Sequence, residues 1–132
     1  MSLTHALTIA AVSAAFVTAA AASDVRLLTL PDKLQGAWAP SAEACTSDSK
    51  DRLDIAARTV GMPDTACDIA WITVTAARNG PAYSARSMCT QVRTGHKEAP
   101  SYLLITPLPD DTLLVRRAIG YNPADPVTYR KC

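Results

Sequence analysis

All four cysteines of the chain, Cys45, Cys67, Cys89 and Cys132, lie downstream of an alanine-rich apolar run from Leu3 to Ala22. That run ends in small residues, Ala20-Ala21-Ala22, just before Ser23, and reads as a secretory signal peptide with an A-x-A-type cleavage site. Its first residues carry no Lys or Arg, only His5 and the amino group. The competing reading is a retained membrane anchor. Thr8, Ser13 and Thr18 dilute the stretch, which is near the lower length limit for a span and has no basic flank behind it. Cleavage after Ala22 takes 22 of the 132 residues and leaves 110, enough for one domain. The expected organisation is a signal peptide over 1–22, an extended leader over 23–33 and a single domain over 34–132. The expected location is the periplasm or beyond, with no stable membrane span after cleavage.

Export places the cysteines in an oxidising compartment. An even number in a small exported domain reads as two disulfides, and four cysteines allow three connectivities. Zinc is the weaker reading, because no C-x-x-C pair is present and His96 is the one histidine after the signal. Bridges also meet a need. The only phenylalanine, Phe16, leaves with the signal, so the core must come from Leu, Ile and Val with Trp38, Trp71 and a few tyrosines. A core of that size is marginal alone.

The remaining sequence reads as short strands between turn signals. Leu34 to Trp38 is a first strand and Pro40 to Asp51 a polar loop holding Cys45. Arg52 to Val60 fits either a strand, through the alternation at Leu53 and Ile55, or a helix with Leu53, Ala56, Ala57 and Val60 on one face. Strand is preferred because the flanking segments are strands. Cys67 to Thr75 is rich in β-formers, and Asn79-Gly80 marks a hairpin returning through Ala82 to Gln91. Pro107 to Asp111 joins a second hairpin, Tyr102–Thr106 with Thr112–Arg117, and Val127 to Cys132 is a last strand. The fold class is therefore all-β: a small antiparallel barrel, or a sandwich-like meander, with two disulfides. Closure would remove the exposed edges of such a sheet.

The chemistry of a catalyst is hard to find in this pattern. His96 is the only candidate base for a nucleophilic site, and Asp110-Asp111 follow Pro109, where Asp forms turns. The five glycines are dispersed, so no phosphate-cradling loop exists. A net charge of +1 argues against nucleic acid as a partner. Arg86, Arg93, Arg116 and Arg117 read as solvated surface, with Arg116 and Arg117 on opposite faces of their strand. The expectation is a monomeric, non-catalytic module with no cofactor and no metal, whose partner is another protein.

Gly36-Ala37-Trp38 resembles the Gly-x-Trp strand that opens small exported barrels such as lipocalins, avidins and bacterial metalloprotease inhibitors. In those proteins the glycine permits close approach at the closed end of the barrel, and the tryptophan plugs it. The similarity to the periplasmic inhibitors of serralysin-type metalloproteases goes further. Ser23-Asp24-Val25-Arg26-Leu27 is similar to the trunk that precedes their eight-stranded barrel. Leu108-Pro109-Asp110 before Leu113 is loosely similar to a later hairpin. The resemblance implies that Ser23 would approach a protease's catalytic zinc with its amine while Asp24, Val25, Arg26 and Leu27 fill the cleft. It also implies a Cys45–Cys67 bridge, which leaves Cys89–Cys132 as the second; the rival set is Cys67–Cys89 across the Asn79-Gly80 hairpin with Cys45–Cys132. Cys89, Cys132 and the stretch Ile69 to Lys97 depart from the inhibitor pattern. A lipocalin-like carrier of a small apolar ligand is a further alternative, as is an envelope protein with another partner. The Tyr129-Arg130-Lys131-Cys132 ending, with the Gly-x-Trp start, also looks like small uncharacterised proteobacterial envelope proteins.

Overall fold

The computed structural model describes residues 25–120 and 122–132. The expected signal peptide and the residues Ser23 and Asp24 lie outside them. The strands are β1 (Val25–Leu27), β2 (Gly36–Ala39), β3 (Leu53–Ile55), β4 (Thr59–Met62), β5 (Thr65–Ala77), β6 (Gly80–Gln91), β7 (Ser101–Pro107), β8 (Thr112–Ile119), β9 (Asn122–Pro123) and β10 (Val127–Lys131). Two short 3₁₀ turns, Asp32–Leu34 and Glu43–Cys45, complete the described elements.

Eight strands close into a barrel in the order β5-β4-β3-β2-β10-β8-β7-β6, with β6 pairing back onto β5 and every pairing antiparallel. An eight-stranded barrel is just wide enough to be filled by side chains, and here it is. Alternate residues point inward: Cys67 and Ile69 from β5, Tyr83, Ala85 and Cys89 from β6, Leu103 and Ile105 from β7, Leu113 and Val115 from β8. They form one buried cluster with Leu30, Leu34 and Trp38. Ser87 and Ser101 are also fully buried, and their hydroxyls hydrogen-bond each other at 3.1 Å. No polar atom of that pair is left without a partner, as burial requires.

β5 is the longest strand, and its edge away from β6 is shared. β4 covers Thr65–Asp68, and β1 covers Ile72–Val74 beyond it. The last residues of β5 and the first of β6, around the Arg78-Asn79 turn, pair only with each other and project past the barrel. The expected Asn79-Gly80 hairpin is thus present one residue earlier, with Gly80 (φ 120°) starting the return strand.

Several sequence expectations need correction. The segment 52–60 is neither one strand nor a helix. It is two strands, β3 and β4, joined by a turn in which the Ala56 N–H donates to the Thr59 carbonyl at 2.9 Å. The first barrel strand begins at Gly36 rather than Leu34; Pro31 to Leu34 wind into the 3₁₀ turn instead. The implied bridges Cys45–Cys67 and Cys89–Cys132 do not form. The structure pairs Cys45 with Cys132 and Cys67 with Cys89, the rival set. The reason is register: Cys67 and Cys89 stand directly opposite on β5 and β6, both facing inward, with Cα atoms 4.0 Å apart. Cys45 meets Cys132 with Cα atoms 5.6 Å apart, within the span of a disulfide, tying the 39–53 connection to the chain's last residue.

Trp71 is the other correction. It does not enter the core. A register shift between Ile69 and Trp71 inserts Ala70 as an extra residue, so the inward set changes parity from Cys67 and Ile69 to Ile72 and Val74. Trp71 is left half-buried on the outer wall.

Candidate interaction face around the N-terminal strand

Outward from the bulge, the register sets Trp71 of β5 beside Arg86 of β6, and Arg86 beside Tyr102 of β7. The Arg86 guanidinium lies 5.6 Å from the centre of the Trp71 ring and 5.1 Å from that of Tyr102. One of its terminal N–H groups donates to the Tyr102 hydroxyl at 2.8 Å. On the other side, Arg26 of β1 places its guanidinium 5.4 Å from the same indole. Trp71 thus carries two cations, each contact worth roughly 0.5–1 kcal/mol at an exposed site. Among the described residues the ion pairs are Arg52–Asp54 and Arg117–Glu98, so neither Arg26 nor Arg86 has a carboxylate partner. The wall is therefore aromatic and carries two arginines, with Asp68 of β5 the nearby carboxylate, opposite Met88. Exposed Met88 and Leu104 extend it, and Arg116 stands beside a shallow hollow lined by Leu104, Thr106, Leu114 and Pro126.

The expected site residues are distributed as follows. Val25, Arg26 and Leu27 come together on β1, opposite Val74, Thr73 and Ile72. Leu27 packs against the core, Arg26 faces outward to Trp71, and Val25 is 58% exposed. β1 pairs only with β5, so its other edge is unpaired among the described residues. Gly36 and Trp38 sit at the barrel end near the 3₁₀ turn. Trp38 is buried, and its indole N–H donates to the Leu34 carbonyl at 2.9 Å. The group that approaches Gly36 (φ 125°) is the Lys131 side chain; a Cβ at Gly36 would meet its Cε at 3.3 Å. The Lys131 ammonium covers the Trp38 ring at 5.3 Å and donates to the Gln35 carbonyl at 3.0 Å.

The residues weighed for catalysis do not converge. His96 is exposed in the connection before β7 and the Asp110-Asp111 pair is exposed in the one after it, a strand length apart. Asp110 accepts a hydrogen bond from the Thr112 hydroxyl, which holds its carboxyl below the usual range, as a turn aspartate would be. Among the described residues no three His, Cys, Asp or Glu side chains gather as a metal site needs. Two of the four arginines read as solvated surface behave otherwise. Arg86 is sandwiched between aromatic rings, and Arg117 turns inward to Glu98, where its Nε is buried without a partner. Arg116 and Arg117 do fall on opposite faces.

The Trp71–Arg86–Tyr102 row escapes sequence reasoning because it exists only in register. Strict alternation through Ile69 would put Trp71 inside. Comparison with protein-family models, with curated proteins and with solved structures finds no match for this chain. No helix among the described residues is long and apolar enough to cross a membrane.

Proposed function

We propose that the chain is an exported, non-catalytic binding module that engages another protein through its N-terminal segment, and that this takes the form of protease inhibition. The observation that carries the reading is the way β1 is held. Three residues pair with β5, Leu27 packs on the core, and Arg26 is seated on Trp71. A chain leaving Val25 therefore departs from a fixed point on a bridged barrel, which lowers the ordering cost of inserting it into a partner's cleft. The edge of β1 that is unpaired among the described residues, and the two arginines on the aromatic wall beside it, offer the partner further backbone hydrogen bonds and carboxylate contacts. Two disulfides fit an oxidising compartment. The side-chain-filled interior favours a partner at the surface over a small ligand in the lumen.

The test compares two chains, one starting at Ser23 and one at Val25, as inhibitors of secreted serralysin-type zinc proteases. β1 is intact in both. The reading expects inhibition by the longer chain at nanomolar to micromolar concentration, as for other preorganised inhibitors, and a loss of at least tenfold in the shorter. Equal inhibition by both chains, or none by either, would overturn it.

A further inference from the structure

A cavity of about 500 Å³ lies at the Trp38 end of the barrel, between the Asp32–Leu34 turn and the β7–β8 hairpin. Its volume is in the range of small-molecule sites. The floor is apolar and belongs to the core: Leu34, Trp38 and Leu113 are each at most 4% exposed. Leu108 supplies an apolar wall. Its hairpin is closed by a 2.9 Å hydrogen bond from the Leu108 N–H to the Thr112 carbonyl. Two ammonium groups, Lys33 and Lys131, line the rim against a single carboxylate, Asp111, and none of the three is in an ion pair among the described residues. Lys131 uses one of its three N–H donors on the Gln35 carbonyl, which fixes its position over the indole and leaves two donors for a ligand.

We infer that this crevice binds a small organic anion with a flat or chain-like apolar body, the body against Pro107 and Leu108 beside the edge of Trp38 and the anionic group between Lys33 and Lys131. This site is separate from the N-terminal strand and does not depend on the function proposed above. The apolar wall of Pro107 and Leu108 supplies contact area, the two lysines select for negative charge, and Asp111 opposes it.

The test uses a matched pair of probes: anilinonaphthalene sulfonate, which is anionic, and N-phenylnaphthylamine, its neutral counterpart. Binding is followed by fluorescence and by the two indole N–H signals in nitrogen-15 NMR spectra. Trp38 lines the crevice and Trp71 lies on the outer wall, so the two signals report separate surfaces. The sulfonate is expected to bind more tightly than the neutral probe by on the order of fivefold and to shift the Trp38 signal alone. Lys33→Glu, at an exposed position, should weaken the sulfonate by on the order of fivefold to tenfold, and Asp111→Asn should tighten it. Equal affinity for the two probes, movement of the Trp71 signal instead, indifference to both substitutions, or no binding below about 1 mM would each overturn the inference.

Discussion

Replacing both Cys45 and Cys132 by serine removes the bridge with the longer loop without opening the core, since Cys132 is exposed and Cys45 half-buried. The loss is therefore dominated by the freedom returned to the unfolded chain. For a sequence separation of 87, the loop-closure relation gives about 4.6 kcal/mol at 25 °C. The same relation gives about 3.4 kcal/mol for the Cys67–Cys89 loop, whose separation is 22. A domain of this length has a urea dependence of about 1–1.5 kcal/mol per molar. The double variant should then unfold about 3 to 5 M earlier in urea, with a slope no smaller than that of the parent, when followed by tryptophan fluorescence and circular dichroism. Typical domains hold 5–15 kcal/mol in all, so the variant should fold but be fragile. A midpoint shift below about 0.5 M would refute the reasoning, showing that the bridge does not restrain the unfolded chain as its loop length requires.

Burial separates the bridges by access as well as by loop length. Both sulfurs of Cys67–Cys89 lie in the core, so dithiothreitol under native conditions should open Cys45–Cys132 first, read as a two-hydrogen mass gain before a second, slower one. Trp71→Ala should cost about 1–2 kcal/mol by removing both cation contacts, with the fastest gain in amide exchange falling in β1, which loses the seat of Arg26. Gly36→Ala should cost about 1–3 kcal/mol in thermal melts, because φ 125° is strained for any side chain and the new Cβ also displaces Lys131. Burial and the nearby Asp51 charge raise the pKa of Tyr129 above its ordinary 10.0. The folded state then holds this proton more tightly, so its contribution is complete below pH 10 and is lost as pH rises through the raised value. Melting temperature should fall above pH 10, and less steeply in Tyr129→Phe.

Local signals carried much of the fold. The Asn79-Gly80 and Pro107–Asp111 turns, with β-branched runs on either side, were enough to indicate antiparallel hairpins, and four cysteines after a signal-like apolar run to indicate two bridges. What the sequence hid depends on register. Leu53, Ala56, Ala57 and Val60 mimic a helical face because the β3–β4 turn interrupts the strand alternation at Ala56 to Arg58. Cys67 and Cys89 are 22 apart, and only the pairing of β5 with β6 shows that they are direct neighbours. The candidate face was hidden for the same reason. One extra residue at Ala70 moves Trp71 from the interior to the wall, where Arg26 and Arg86 find it from two other strands. Arg26 itself was within reach of sequence reasoning as part of the N-terminal segment, but its partner was not.

The proposed module is an exported barrel with two bridges whose mature chain begins at Ser23, just ahead of β1. The intact mass of the protein recovered from the compartment to which its own cell exports it, taken before and after reduction, tests that claim most directly. A chain beginning at Ser23 that gains about four hydrogens on reduction, one for each of its cysteines, is the predicted result. A chain that keeps its first 22 residues, or gains no mass on reduction, would contradict the account.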